Sequence, residues 1–194
     1  EKAAPGPGTT AYPFLALLAS LVAFTSASPL FADELDVALP AELQRIYFSG
    51  VPKSLDDLRL MDRHQQMLVE KVTRVTVVLQ IGPTHGSGVL VSKDGHILTA
   101  AHVAGKAGLD VRVIMPDGQK FRGTTLGMDK GMDAALLKVN APVHEGQIRE
   151  WPFAEMGRAA VMEPCSWCVA LVHPGGYQID RQPVARFGRI LANN

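Results

Sequence analysis

His102, in Leu98-Thr99-Ala100-Ala101-His102-Val103, and Asp133, in Met132-Asp133-Ala134-Ala135-Leu136-Leu137, are the two side chains of this 194-residue chain best suited to chemistry. An imidazole can take a proton from a hydroxyl, and a carboxylate bonded to its other nitrogen fixes the tautomer and stabilises the imidazolium. A histidine after an apolar strand is, taken alone, more often a partly buried ring bonded to backbone. Here the small residues Ala100 and Ala101 allow tight packing, and a carboxylate directly before the apolar run 134–139 can be buried against the ring. The plain alternative for Asp133 is a solvated turn residue after Asp129-Lys130-Gly131-Met132, and Asp129 is the rival carboxylate.

A nucleophilic serine in a Gly-rich turn would complete such a relay, and none is apparent. Gly86-Ser87-Gly88 has only a superficial likeness to one. It is also a poor phosphate cradle, because it lacks the third glycine and the following helix of a dinucleotide loop. The two cysteines stand in Cys165-Ser166-Trp167-Cys168. An oxidising compartment permits a disulfide between them. Redox sites with this spacing open a helix beside a sheet, whereas Cys168 opens the strand-like run Cys-Val-Ala-Leu-Val, which argues against a redox role. Zinc needs further ligands, and the six histidines are scattered without ligand spacing. No metal or organic cofactor is expected.

The composition, 47% hydrophobic and 20% charged, is that of a globular chain. Nineteen basic residues balance nineteen acidic ones, so no net field draws nucleic acid or an anionic membrane. Residues Ala11 to Ala27 form an apolar run too short and too rich in small residues for a spanning helix. It reads as the core of an export signal, with Pro29 breaking the helix and cleavage expected after Ala32, or alternatively Ala27. Residues 1–32 are therefore expected to be a signal peptide, and the protein to be periplasmic, in the cell envelope or secreted. Stable membrane insertion is not expected after cleavage; an uncleaved tether is the alternative. Lys2 is the sole positive residue ahead of the run and residue 1 is Glu, as expected of a chain that begins inside a longer reading frame.

The elements that must hold His102 and Asp133 follow from periodicity. Residues 33–73 read as an arm, with Ala38 to Gly50 a connection, and then a helix over 55–70. Leu55, Leu58, Met61, Met67, Leu68 and Val72 recur at near-helical spacing as a core stripe, and Ser54, Asp56 and Asp57 supply the cap. From Arg74 the pattern becomes short β-rich runs: 75–81, 87–92, 96–99, 109–115, 119–126 and 134–139. Lys93-Asp94-Gly95 and Pro116-Asp117-Gly118 are the turns between neighbours. Six strands within 74–140 suffice for one closed barrel, and the connections are too short for crossover helices. Residues 141–152 read as a linker. Runs at 160–161, 167–172 and 183–191 begin a second β unit that roughly 40 residues cannot complete.

The chain resembles the trypsin-like serine peptidases, most closely their HtrA/Deg-like bacterial branch. The matching pieces occur in the family's order: Gly86-Ser87-Gly88-Val89-Leu90-Val91, Asp94 to Val103, Pro116-Asp117-Gly118, Gly127 to Val139, Val169 to Gly176, and Arg186 to Leu191. The resemblance covers about 75–194 and implies an all-β, chymotrypsin-like double barrel, its first barrel complete (74–140), its second only begun (141–194), with a short N-terminal helix. It makes His102 the general base, Asp133 its orienting carboxylate, Asp129 a bystander and Ser87 a strand residue. The family's serine lies in a Gly-rich turn that also supplies oxyanion donors. The chain reaches Asn194 before any such turn, so the nucleophile is unassigned and the chain is expected to be an inactive piece of a longer protein. The implied activity is endopeptidase hydrolysis of protein or peptide substrates through an acyl-enzyme, with no cofactor and with oligomers possible. A non-catalytic homologue serving as a binding or scaffold module is the alternative.

Overall fold

The computed structural model describes residues 39–49, 51–140, 143–144, 147–148, 150–158, 164–179 and 181–191. The expected signal peptide and the expected strand at 160–161 lie outside the described residues.

Two helices come first. Where a connecting arm is expected, the chain instead forms α1 (Ala41–Ser49). The carbonyl of Pro40 accepts from the N–H groups of Leu43 (2.9 Å) and Gln44 (3.0 Å), starting the turn. Leu43, Ile46 and Tyr47, spaced three and four residues apart, then share one buried face. They pack against Leu60 and Met61 of α2 (Leu55–Thr73). Ser54 caps α2 by accepting from the Asp57 N–H at 3.1 Å. The Asp57 carboxylate accepts from the Lys53 N–H and from Arg45, clipping α1 to α2, and these donors hold its carboxyl below the usual range. The expected core stripe is only partly realised. Met61 packs in the helix pair, whereas Leu55, Leu58 and Met67 are exposed, since only one side of α2 meets α1 and the sheets.

The barrel forms as its pattern demands. Strands β1 (Thr76–Ile81), β2 (Thr84–Leu90), β3 (His96–Thr99), β4 (Asp110–Ile114), β5 (Lys120–Asp129) and β6 (Ala134–Val139) close in the order β1-β2-β3-β6-β5-β4, every pairing antiparallel. Alternation buries Ile97, Val111, Val113, Ala135, Leu137 and Val139 inside with Val77, Leu79 and Leu90. β2 begins earlier than expected because Gly82, at φ +56°, turns the chain tightly out of β1. β5 runs on to Asp129 through an irregular register between Thr125 and Gly127. Within the expected linker, Val143–His144 (β7) pairs with Gln147–Ile148 (β8). Trp151, 2% exposed, then enters the barrel core edge-on to Phe121.

Gly86 and Gly88 serve packing. A Cβ on Gly86 would meet Val103 Cγ1 at 2.5 Å, and one on Gly88 would meet Ile97 Cγ2 at 2.5 Å. Beyond the barrel, β9 (Trp167–Val172) and β10 (Val184–Arg189) form a two-stranded sheet. Trp167 fastens it to α1, donating Nε1–H to the Tyr47 carbonyl at 3.0 Å, with Arg189 stacked 4.6 Å from its ring.

Gly86→Ala is expected to push Val103 away and destabilise the chain by about 1–3 kcal/mol, read as a lower urea midpoint; an unchanged midpoint would remove the packing role. A second expectation concerns pH. Burial pushes His64 and His173 below the ordinary histidine value of 6.5, so the unfolded chain binds protons that the folded chain rejects. Their part of the stability is intact above about pH 6.5 and falls as pH drops below it. Urea midpoints measured from pH 7.5 to 5 should therefore decline, and a combined His64→Gln and His173→Gln variant should show a flatter decline.

Candidate active site

The site lies where β3 ends. Thr99 pairs with Ala135 of β6 and donates its hydroxyl to the Ser87 carbonyl at 2.7 Å, fixing the end of the strand. The chain turns at Ala100 into a single helical turn, α3 (Ala101–Ala104), which Gly105 ends at φ +74°. A first helical turn has N–H groups without intrahelical partners, and Ala100 has no side-chain oxygen to cap them. Asp133 takes that part from across the barrel. Its carbonyl accepts from the Ala101 N–H at 3.1 Å, and its Oδ1 accepts from the His102 N–H at 3.0 Å.

The second oxygen, Oδ2, lies 2.7 Å from His102 Nδ1. One carboxylate thus grips both the backbone and the ring of the same histidine. With the proton on Nδ1, the bond made there leaves Nε2 as the lone-pair nitrogen, able to accept a proton from a hydroxyl. The His102 N–H, then the ring hydrogen bond, hold the Asp133 carboxyl below the usual carboxylate value of 3.8, so it is ionised at neutral pH. Asp133 adopts φ +50°, in the left-handed region.

The structure brings His102 and Asp133 together but does not bury them. Their side chains are 72% and 53% exposed, against the expectation of a carboxylate buried against the ring. The reason lies in placement: Asp133 occupies the turn ahead of β6, at the barrel's rim, rather than a core position of the strand. At such exposure, water screens the charge attraction, and the directed hydrogen bonds do the holding.

The remaining candidates are elsewhere. Asp129 Oδ1 accepts from the N–H groups of Gly131 (2.7 Å) and Met132 (3.1 Å), inside its own turn. Ser87 Oγ accepts from the His173 N–H at 2.9 Å and stands 3.5 Å from His173 Nδ1, so it is tied to the loop after β9. Cys165 and Cys168 are exposed free thiols, Cys165 at φ +71° in a turn that leads into β9 and not into a helix. Among the described residues, no group of three or more His, Cys, Asp or Glu is placed to hold a metal ion. No described helix is long and apolar enough to cross a membrane. Sequence reasoning missed the pair of hydrogen bonds that the first turn of α3 donates to Asp133; the capless Ala100 was the available signal.

Similarity to known proteins agrees with this architecture. Putative serine protease HhoB of Synechocystis sp. is 35% identical over 91 residues, 47% of this chain and 20% of that protein. The probable periplasmic serine endoprotease DegP-like of Hahella chejuensis is 35% identical over 111 residues, 56% of this chain and 22% of that protein. Its namesake in Chlamydia muridarum is 32% identical over 93 residues, 48% of this chain and 17% of that protein. The chain therefore matches only about a fifth of the length of these relatives. The trypsin-like peptidase domain family matches residues 86–194, more than half of the chain and including both His102 and Asp133, and the chain belongs to that family.

Proposed function

We propose that this chain is the part of an exported serine endopeptidase that carries the general base and its orienting carboxylate, the nucleophilic serine being supplied by sequence outside it. The observation that carries the reading is the 2.7 Å bond from Asp133 Oδ2 to His102 Nδ1, made while Oδ1 holds the backbone of the same residue. His102 Nε2 takes the serine proton as the serine oxygen attacks the substrate carbonyl carbon. The protonated ring, stabilised by Asp133, then gives that proton to the departing amine as the peptide C–N bond breaks and the acyl-enzyme forms. In the second half-reaction Nε2 takes a proton from water, whose oxygen attacks the acyl carbon, and returns it to the serine oxygen. This chemistry uses no metal or organic cofactor. Protein or peptide segments are the substrates, as the names of the relatives suggest.

The domain reading accompanies the proposal: a signal peptide over 1–32, an arm and helix over 33–73, the first barrel over 74–140, and a linker with the start of a second barrel over 141–194. Two relatives are named as periplasmic, which supports export of this chain to the same kind of compartment.

In a longer polypeptide that carries both this chain and the serine, peptide release from a denatured protein is the measurement. His102→Ala should lower turnover by about 10³-fold or more without unfolding the barrel, and Asp133→Asn by about 10³–10⁴-fold through the wrong tautomer. Retained turnover in His102→Ala would falsify the assignment, whereas absence of turnover and of acylation in the unmutated polypeptide would favour the binding-module alternative. Export has its own check. Amino-terminal sequencing of the mature protein is expected to begin at Asp33, and a start within residues 1–11 would exclude signal cleavage.

A further inference from the structure

Asp129 stands four residues before Asp133, at the last position of β5, opposite Ala134 of β6. Between the two strands the chain must reverse through Lys130, Gly131 and Met132 and deliver Asp133 at φ +50°. A non-glycine residue enters that region at a steric cost, so the surrounding turn must impose it. The turn is organised by one atom. Asp129 Oδ1 accepts from Gly131 N–H at 2.7 Å and Met132 N–H at 3.1 Å, an arrangement in which a short carboxylate templates the next residues of its own backbone. Gly131 is matched to it: a Cβ there would lie 3.2 Å from that same oxygen, closer than ordinary contacts.

Downstream, among the described residues, Asp133 accepts from the N–H groups that open α3 and meets the His102 ring. Its carbonyl takes the Ala101 N–H, Oδ1 takes the His102 N–H, and Oδ2 meets Nδ1. The side-chain rotamer of Asp133 alone cannot satisfy all three partners, because one of them is bonded by its backbone. The backbone direction at 133 must also be right, and the turn held by Asp129 leads directly into it.

We propose that Asp129 is a positioning residue for the His102–Asp133 pair: its Oδ1 holds the 130–132 turn that presents the backbone and carboxylate of Asp133 to α3. Asp129 acts through the turn: its Oδ1 accepts from the backbone of Gly131 and Met132. The inference deepens the peptidase reading and rests on it for its catalytic consequence; the geometric part stands without turnover.

The test on this chain is the titration of the Asp133 carboxyl, followed by carbon NMR in the unmutated chain and in Asp129→Ala, Asp129→Asn and Gly131→Ala. Two effects have opposite signs. Removing a negative charge near Asp133 eases its ionisation, moving the titration down or leaving it in place in both the Ala and the Asn variants. Losing the hydrogen bonds from His102, which depress the Asp133 value, moves it up. Positioning therefore predicts that the upward effect prevails in Asp129→Ala and that no upward move occurs in Asp129→Asn, because the amide keeps the single acceptor oxygen that the turn uses. Gly131→Ala should move it upward by less.

An Asp133 titration unmoved or lowered in Asp129→Ala would overturn the proposal, as would an upward move of equal size in Asp129→Asn. Should Asp129→Ala fail to fold, Gly131→Ala decides: an upward move supports positioning and an unmoved value overturns it. In the longer polypeptide, Asp129→Ala should lower kcat about 10- to 100-fold with little change in KM, and Asp129→Asn should restore most of it. If His102→Ala leaves turnover intact while the Asp133 titration still moves in Asp129→Ala, the peptidase reading falls and the positioning role survives.

Discussion

The hydrogen bonds that Asp133 makes to the first turn of α3 are the constraint on which the site depends. They satisfy two backbone N–H groups that no local cap can reach, and they join the start of β6 to the end of β3 at one rim of the barrel. Orientation of the imidazole comes from the same residue and not from a separate device. A histidine held this way is fixed at its backbone as well as at its ring. The arrangement tolerates solvent exposure better than a bare ion pair would, since short directed bonds to N–H groups lose less to screening than a charge attraction does.

The barrel gives those bonds their geometry. Ala101, Val103 and Ala104 face the core, and Val103 sits against the bare Cα of Gly86. The single turn carrying His102 is therefore pinned from below by packing and from the side by Asp133. Neither the short helix nor the turn at 129–133 has enough local bonding to be stable alone, because a lone helical turn fixes several dihedrals for very few bonds. Both inherit order from strands that pair for reasons unrelated to the site.

Strand positions in the barrel were legible because period-two alternation and the Asp-Gly turns act locally: β3 and β6 lie where the pattern puts them. His102 and Asp133 were legible as residues because each adjoins such a strand, and their juxtaposition follows from the β3–β6 pairing. Other features depend on contacts distant in sequence. α1 owes its helix to burial of Leu43, Ile46 and Tyr47 against α2, which the Pro40-containing stretch does not announce. Trp151 reads as part of a linker until Phe121 and Gly95 are seen to leave it a place. The exposure of Asp133 escaped notice because an apolar run beginning one residue later suggests burial, whereas the left-handed turn sets that residue outside the run.

Ser87 has a consequence of a different kind. Its carbonyl receives the Thr99 hydroxyl and its own hydroxyl oxygen receives the His173 N–H. The segment leading to His102 and the loop following β9 are thus both measured from one residue of β2. In a machine assembled from many parts, small errors add along the chain of parts between two working surfaces. Here that chain is a single residue long, so the two segments share one point of reference in β2.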